Sequence, residues 1–367
     1  VKEGCPDGRD GVISVVGPVE DAFILTDELL SCDYFDNVDG RTVSDGLPDF
    51  AGETISVICD NADAPYHGYL EIGNDVYLKE LTVRNFISAL DTTCALSQFD
   101  RDRTVHKAGS KVVILASSYS SAMGYGDIMA LVQAARPSIE VVSPVHAMFR
   151  YAMERHSESG SFAVWTSESL LGSGVYSTVW ADMVKEHPGF KYDAFCPQQT
   201  GSLRDRMISL FRMYRDAGQK KRLDAVIVDD MPLRADSLNS ALTSMLRDSD
   251  DSIAAYRNLL ADGFEFIDAA RPVASECIRF LRKNNFFTHR VAYPSMLMYE
   301  TVPVAGLPAS DYASDGGLTE KFKYNRAENS GFSTFVLVES SGGFLDDEQK
   351  EFLRKYAHKA YDQYVSK

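Results

Sequence analysis

The chain has 367 residues, about two domains' worth, and its 45% apolar and 25% charged content is globular. That balance excludes disorder, collagen-like repeats and low-complexity scaffolds. Lys and Arg total 37 against 53 Asp and Glu, a net charge of -16. With no local basic patch to override that field, nucleic acid is not expected as a partner.

Residues 1–10 are polar and read as a tether. Strand-like apolar runs then alternate with helical patterns. The first four runs are residues 11–17 (GVISVVG), 53–60 (ETISVICD), 111–117 (KVVILAS) and 139–143 (IEVVS). Four more follow at 161–166 (SFAVWT), 191–196 (KYDAFC), 223–229 (LDAVIVD) and 264–268 (FEFID). Most are continuous rather than alternating, as expected of parallel strands covered on both faces. The intervening pattern predicts helices at 19–30, 127–135, 144–155, 175–185, 202–217, 235–247, 252–261 and 272–283. An Arg136-Pro137 stop follows the second.

Repeated strand–helix alternation means an α/β protein. Four units fall on each side of residue 145, so two similar lobes are expected, each a parallel sheet flanked by helices. Lobe 1 spans 11–145 and lobe 2 spans 146–268. A return helix and C-terminal extension, 269–367, pack on lobe 1. In that extension the runs 289–304 and 332–338 are expected to add strands to lobe 1. A helix is expected from Asp346, a suitable N-cap, to about Val365. No apolar run is long enough to span a bilayer.

The six cysteines, Cys5, Cys32, Cys59, Cys94, Cys196 and Cys277, include no CxxC pair, which argues against a zinc or redox motif. Cys59 and Cys196, at the ends of apolar runs, read as buried free thiols. The seven histidines show no metal-pair spacing. No P-loop, HExxH or GxSxG is present, and Gly124-Tyr125-Gly126 lacks the rest of a dinucleotide fingerprint. No metal and no cofactor is predicted. The opening segment leads to the expectation of an exported protein, periplasmic or at the cell surface. A lipid anchor upstream of Val1 is compatible with that reading.

Ligands of open parallel sheets bind beyond the carboxyl ends of the strands. Reading those ends gives Glu20 after the first strand and Asp60 and Asn61 after the second. Ser117, Ser118 and Tyr119 follow the third. In the second half the same reading gives Thr166, Ser167, Gln198, Asp229 and Asp230. Hydroxyls, amides and carboxylates of this kind suit a small polar molecule, such as a carboxylate or a sugar. Ser, Asp and Asn also favour turns and caps for local backbone reasons.

Several stretches, in order, resemble the aspartate/glutamate racemase family. Residues 53–68 (ETISVICDNADAPYHG) are similar to its strand followed by Pro-Tyr-Gly, with Cys59, Asp60, Ala64, Pro65, Tyr66 and Gly68 in the pattern. Residues 111–122 (KVVILASSYSSA) lie where the family has Ala-Cys-Asn-Thr. Residues 162–176 (FAVWTSESLLGSGVY) resemble its strand, Thr-rich loop and Ser-x-x-Tyr helix start. Residues 223–233 (LDAVIVDDMPL) fall at its second Cys-Thr motif, and 264–281 look like its closing Ile-Asp-x-Ala helix. The resemblance covers about residues 11–285. It implies two α/β lobes and, in the family, two opposed thiols that exchange an α-proton. Here Ser117 stands where the first thiol belongs and Asp230, or Asp229, where the second does. Val16 or Gly17 replaces the acidic residue after the first strand. An unactivated serine hydroxyl is too weak a base for that proton, so the resemblance implies the fold rather than two-thiol racemisation.

LDAVIVDD and the late return to the first lobe also resemble type I periplasmic binding proteins. The expected function is therefore non-catalytic binding of a small polar solute between two α/β lobes. The alternatives are a divergent racemase-superfamily enzyme on a small carboxylate, with Ser117 and Asp230 as catalytic candidates, and a degenerate scaffold that binds another protein.

Overall fold

The fold is that of a computed structural model, which describes residues 11–37, 40–96, 109–135, 139–156, 159–218, 221–230, 233–247, 251–288, 292–314, 316–327, 335–340 and 344–366. The expected tether, the Arg136-Pro137 stop, Cys5 and the start of the 332–338 run lie outside these residues. The chain divides into two compact units, Val1–Ser143 with Val273–Lys367, and Pro144–Pro272.

The first unit holds β1 (Val12–Gly17), β2 (Thr54–Cys59), β3 (Ser110–Leu115) and β4 (Glu140–Val142). The second holds β5 (Ser161–Trp165), β6 (Lys191–Phe195), β7 (Leu223–Val228) and β8 (Leu260–Ile267). The C-terminal extension returns β9 (Ser295–Pro303) and β10 (Phe335–Glu339) to the first sheet. The strand orders are β10-β9-β2-β1-β3-β4 and β6-β5-β7-β8. All pairs are parallel except β9 with β10. The α/β class, the two parallel sheets and the extension of the first sheet are thus as the sequence predicts.

Both sheets place the first strand of the unit between the second and third. The chain therefore reverses direction between β1 and β3 in one unit and between β5 and β7 in the other. Such reversal points open a crevice at the strands' carboxyl ends. β1, β3 and β5 are buried along their whole length, so each face must be covered. In the first unit Val16, Ile58, Val113 and Leu115 pack with Phe86, Ile128 and Val132 from the helices Asp75–Leu96 and Tyr125–Ala135. The helix Val19–Ser31 meets the C-terminal helix through an edge contact of Phe23 with Tyr364. The second unit's core is built on Trp165, Met207, Leu210, Phe211, Tyr214, Val226 and Phe266.

Three elements differ from the sequence reading. The 22-residue helix Asp75–Leu96 has no counterpart in it. Its inward face mixes polar and apolar residues: Thr82, Arg84 and Asn85 are buried beside Tyr77, Leu78, Leu81 and Phe86, while Val76 and Ile87 are exposed. The predicted helix 252–261 is instead a short helix Asp251–Ala254, a 3-10 turn Arg257–Leu259 and the start of β8, which Leu260 opens by pairing with Leu223. The C-terminal helix is broken at Ala357 into Asp347–Tyr356 and His358–Val365. The Asp27 carboxylate accepts the Lys359 and Ala360 N–H groups. It thereby caps the second piece, whose first N–H groups would otherwise lack partners.

Both tryptophans of the chain, Trp165 and Trp180, lie in the second unit, so tryptophan emission reports that unit's unfolding. Phe211 is fully buried and meets the rings of Tyr256, Phe264 and Phe266. Phe211→Ala is expected to destabilise the second unit by about 3–5 kcal/mol, read as a lower urea midpoint of tryptophan emission. Burial, with Arg150 adding to it and Asp182 opposing, pushes His146 down to about 4. A folded value below the unfolded one gives stability that is present above about pH 6.5 and is lost as the pH falls towards 4. The same emission should report a second unit that weakens across that window, and His146→Gln should flatten the slope.

Candidate functional site

The predicted site residues fall into two sets, one per unit. In the first unit Ser117 ends the loop after β3 and caps the short helix Ser118–Met123, its Oγ accepting the Tyr119 N–H at 3.3 Å. Ser117, Ser118, Ser120 and Ser121 are all buried. The Ser143 hydroxyl donates to Ser121 Oγ at 2.9 Å. The Ser121 hydroxyl also reaches the Ser117 carbonyl at 3.5 Å, so hydroxyls of this loop are engaged with Ser143 and with backbone. Its hydroxyl acting as an acceptor at a helix start, Ser117 serves the backbone. Tyr119 packs its ring into the Tyr66–Tyr69–Tyr77 cluster. Glu20, in the first turn of Val19–Ser31, accepts the Gln349 amide at 3.3 Å. Asn61 donates to Glu300, whose carboxyl is raised by burial against the Asn61 hydrogen bond.

Asp60, at the end of β2, is fully buried. Its Oδ1 accepts the Thr301 hydroxyl at 2.7 Å. Its Oδ2 accepts the Tyr66 hydroxyl at 2.7 Å and the Asn85 amide at 2.8 Å. The Arg84 guanidinium stands 3.6 Å away. Beside it Asp63, also fully buried, pairs with Arg84 at 2.7 Å and with Arg326. Two carboxylates and two guanidiniums therefore neutralise one another inside the unit. Burying such charges costs several kcal/mol each, and only close pairing with further hydrogen bonds offsets that cost. Burial pulls Arg326 down to about 10, with the Asp60 charge opposing, so it stays charged at neutral pH.

In the second unit the reversal point lies between Thr166, after β5, and Asp229, after β7. The Asp229 N–H donates to the Trp165 carbonyl at 2.8 Å. The Tyr176 hydroxyl donates to Asp229 at 2.6 Å and lies 2.6 Å from the Thr166 hydroxyl. Tyr176 reaches them because Gly174, at φ 73°, turns the chain from the helix Glu168–Ser173 into Val175–Met183, a backbone conformation that favours glycine. Ser167 caps the first of these helices. Asp230 faces Arg206 at 2.8 Å, and that guanidinium also donates to Gln199 at 3.3 Å. Arg206 is delivered by the helix Leu203–Asp216, whose start is fixed by a Ser202–Asp205 capping box. Burial raises the Asp230 carboxyl against the opposing Arg206 charge. Gln198 is exposed and contributes its backbone N–H to Ser209, so its side chain stands outside these contacts.

Two donors beside this cluster are unused. Among the described residues Arg206 Nε and Trp165 Nε1 are buried with no hydrogen-bond partner. The guanidinium carbon lies 5.3 Å from the Trp165 ring centroid. An orphaned buried donor normally marks a water or ligand acceptor. The Arg206–Asp230 pair is the part of the cluster that reaches solvent, with side chains 15% and 22% exposed.

Sequence reasoning missed Asp63, Arg84, Asn85, Glu300, Thr301, Arg326 and Arg206. Arg206 alone carried a signal, lying one turn inside a capped helix that follows β6. Cysteine placement is partly corrected. Cys59 is buried, but Cys196, expected to be buried, is partly exposed, because β6 is an edge strand. Cys59 and Cys277 are raised well above the ordinary thiol value by burial, nearby carboxylates adding to it. Among the described residues no group of three His, Cys, Asp or Glu is placed to hold a metal ion.

No family model and no curated protein matches the chain. Solved structures similar to it include glutamate racemase isoform RacE1 from Bacillus anthracis, at 16% identity and TM-score 0.48 over 79% of this chain and 88% of that one. The glutamate racemase of Francisella tularensis, in complex with D-glutamate, is similar at 14% identity and TM-score 0.47, over 82% and 90%. Unliganded arylmalonate decarboxylase is similar at 12% identity and TM-score 0.35, over 73% and 91%. The racemase family that the sequence resembles is thus represented among these structures. Fold likeness of this degree carries no chemistry with it.

Asp63→Asn leaves two buried guanidiniums facing one carboxylate. It is expected to cost the first unit about 3–5 kcal/mol, read as faster hydrogen exchange of the β1, β2 and β3 amides.

Proposed function

We propose that this chain binds a small polar molecule at the carboxyl ends of β5 and β7, through Asp229, Asp230, Arg206, Gln199, Thr166 and Tyr176. One observation carries the reading: the solvent-reaching Arg206–Asp230 pair stands beside two buried donors, Arg206 Nε–H and Trp165 Nε1–H, that lack acceptors among the described residues. A molecule with oxygen acceptors satisfies those donors, and its hydroxyl or amine hydrogens suit the two carboxylates. Two aspartates against one arginine leave the cluster formally negative, which disfavours a purely anionic ligand.

Binding without turnover is favoured by the state of the nucleophile candidates. Ser117 Oγ is used as a helix cap. Cys59 and Cys277 are held protonated by burial, and only a thiolate is an effective base or nucleophile. A second reading has a specific observation behind it. Burial raises the Asp230 carboxyl against the Arg206 charge, the direction that suits a carboxyl to exchange a proton with a substrate, as in a divergent racemase-superfamily enzyme that uses one carboxylate.

Thermal denaturation against sugars, nucleosides, small carboxylates and D- and L-amino acids tests both. A ligand at about 100 times its Kd adds about 2.7 kcal/mol to stability. At least one compound is expected to raise the melting temperature, and Asp230→Asn should weaken it at least tenfold. A panel without any shift would overturn the proposal. Conversion of the bound compound by the wild type, lost in Asp230→Asn with binding kept, would replace it with the enzyme reading.

A further inference from the structure

The carboxyl end of β2 in the first unit has the composition of a cation-binding pocket, and the chain itself fills it. Asp63 Oδ1 accepts the Tyr69 and Tyr77 hydroxyls at 3.3 and 3.5 Å; these two rings stack with centroids 5.3 Å apart, and Tyr324 stands edge-on to Tyr69 at 4.9 Å. The Arg326 guanidinium sits over the Tyr77 ring at 4.5 Å, pairs with Asp63 and donates to the Tyr69 hydroxyl at 3.1 Å. A carboxylate with aromatic faces is how proteins hold guanidinium and ammonium groups. The occupant comes from 263 residues further along the chain.

Arg326 arrives on a thin element. The residues before it form a five-residue helix, Glu320–Tyr324, with no buried residue of its own. It is held to the loop after β2 by polar contacts: Lys323 to the Ala64 carbonyl at 2.6 Å, Tyr324 to the Pro65 carbonyl at 3.1 Å, and Asn74 to the Tyr324 and Arg326 carbonyls. Gly68 lets it approach, since a Cβ there would lie 2.2 Å from the Tyr324 ring. Beside this strap is a cavity of about 430 Å³ lined by Asp311, Thr319, Lys321, Phe322, Asn325 and Arg326. The strap is therefore fastened at its end by Arg326, with the Tyr324 ring packed on the tyrosine cluster.

We propose that the segment 319–326 is a latched lid and that Arg326 occupies, in cis, a pocket that accepts a guanidinium-bearing ligand once the lid lifts. The tether supplies Arg326 at an effective concentration of roughly millimolar order, so a free guanidinium competes only when the latch is removed. This pocket is distinct from the site on the second unit and stands or falls apart from it.

The test uses the full chain and methylguanidinium as probe. Arg326→Ala is expected to melt several degrees lower than the wild type and to regain most of that loss in millimolar methylguanidinium. The wild type should not respond. Amide exchange of residues 319–327 should rise at least tenfold in the variant and fall again with the probe, while β1–β3 amides stay protected. If Arg326→Ala does not fold, Arg326→Lys keeps the charge without the fork and should show the same confined rise in strap exchange. Absence of rescue in a folded Arg326→Ala, or strap and β1–β3 amides loosening together, would overturn the proposal and make Arg326 a structural pin.

Discussion

The burial of two carboxylates at the end of β2 is the constraint around which the first unit is organised. Asp60 and Asp63 have no water to solvate them, so every lone pair must find a donor within the protein. The donors come from three separate stretches: Tyr66 and Tyr69 nearby, Tyr77, Arg84 and Asn85 on the long helix, and Thr301 and Arg326 from the C-terminal extension. The extension is thus more than two edge strands. It supplies a hydroxyl to Asp60 and a guanidinium to Asp63. This arrangement also accounts for a helix whose polar residues face inward.

The two units share a strand order and treat their carboxyl ends in opposite ways. In the first, Ser117 and Ser121 after β3 hydrogen-bond to backbone and to Ser143, and the acidic pair after β2 is paired internally. In the second, Asp229 is bound to Tyr176 and Thr166, but the Arg206–Asp230 pair keeps contact with solvent and borders buried donors that lack partners. The same topology has yielded one end whose charges are paired out of reach of solvent and one end whose ion pair reaches it. The proposed ligand is placed at the second.

Much of the architecture was legible because it rests on local patterns. Continuous apolar runs marked the strands, and Asp346 marked a helix start that proved to be capped by that side chain. Strand-end logic placed Thr166, Asp229 and Asp230 on one edge, where they meet Arg206 and Tyr176. Non-local pairing was not legible. No spacing announces that Arg326 will reach Asp63, that Asp27 will cap a helix at residue 359, or that Thr301 will bond to Asp60. The helix Asp75–Leu96 was hidden for a related reason, since its inward face mixes Thr82, Arg84 and Asn85 with Tyr77, Leu78, Leu81 and Phe86, and the polar ones find partners elsewhere in the chain. Ser117 was singled out for its position, and the structure gives its hydroxyl a capping role.

The central claim is that a small polar ligand binds at Arg206 and Asp230, beside Trp165. Tryptophan emission of a Trp180→Phe variant, which leaves Trp165 as the chain's single tryptophan, tests it directly when titrated with any compound that calorimetry shows to bind. The account predicts a saturable change in Trp165 emission with the calorimetric Kd, abolished in the added presence of Asp230→Asn. A bound compound that leaves Trp165 emission unchanged, and binds equally well without the Asp230 carboxylate, would contradict it.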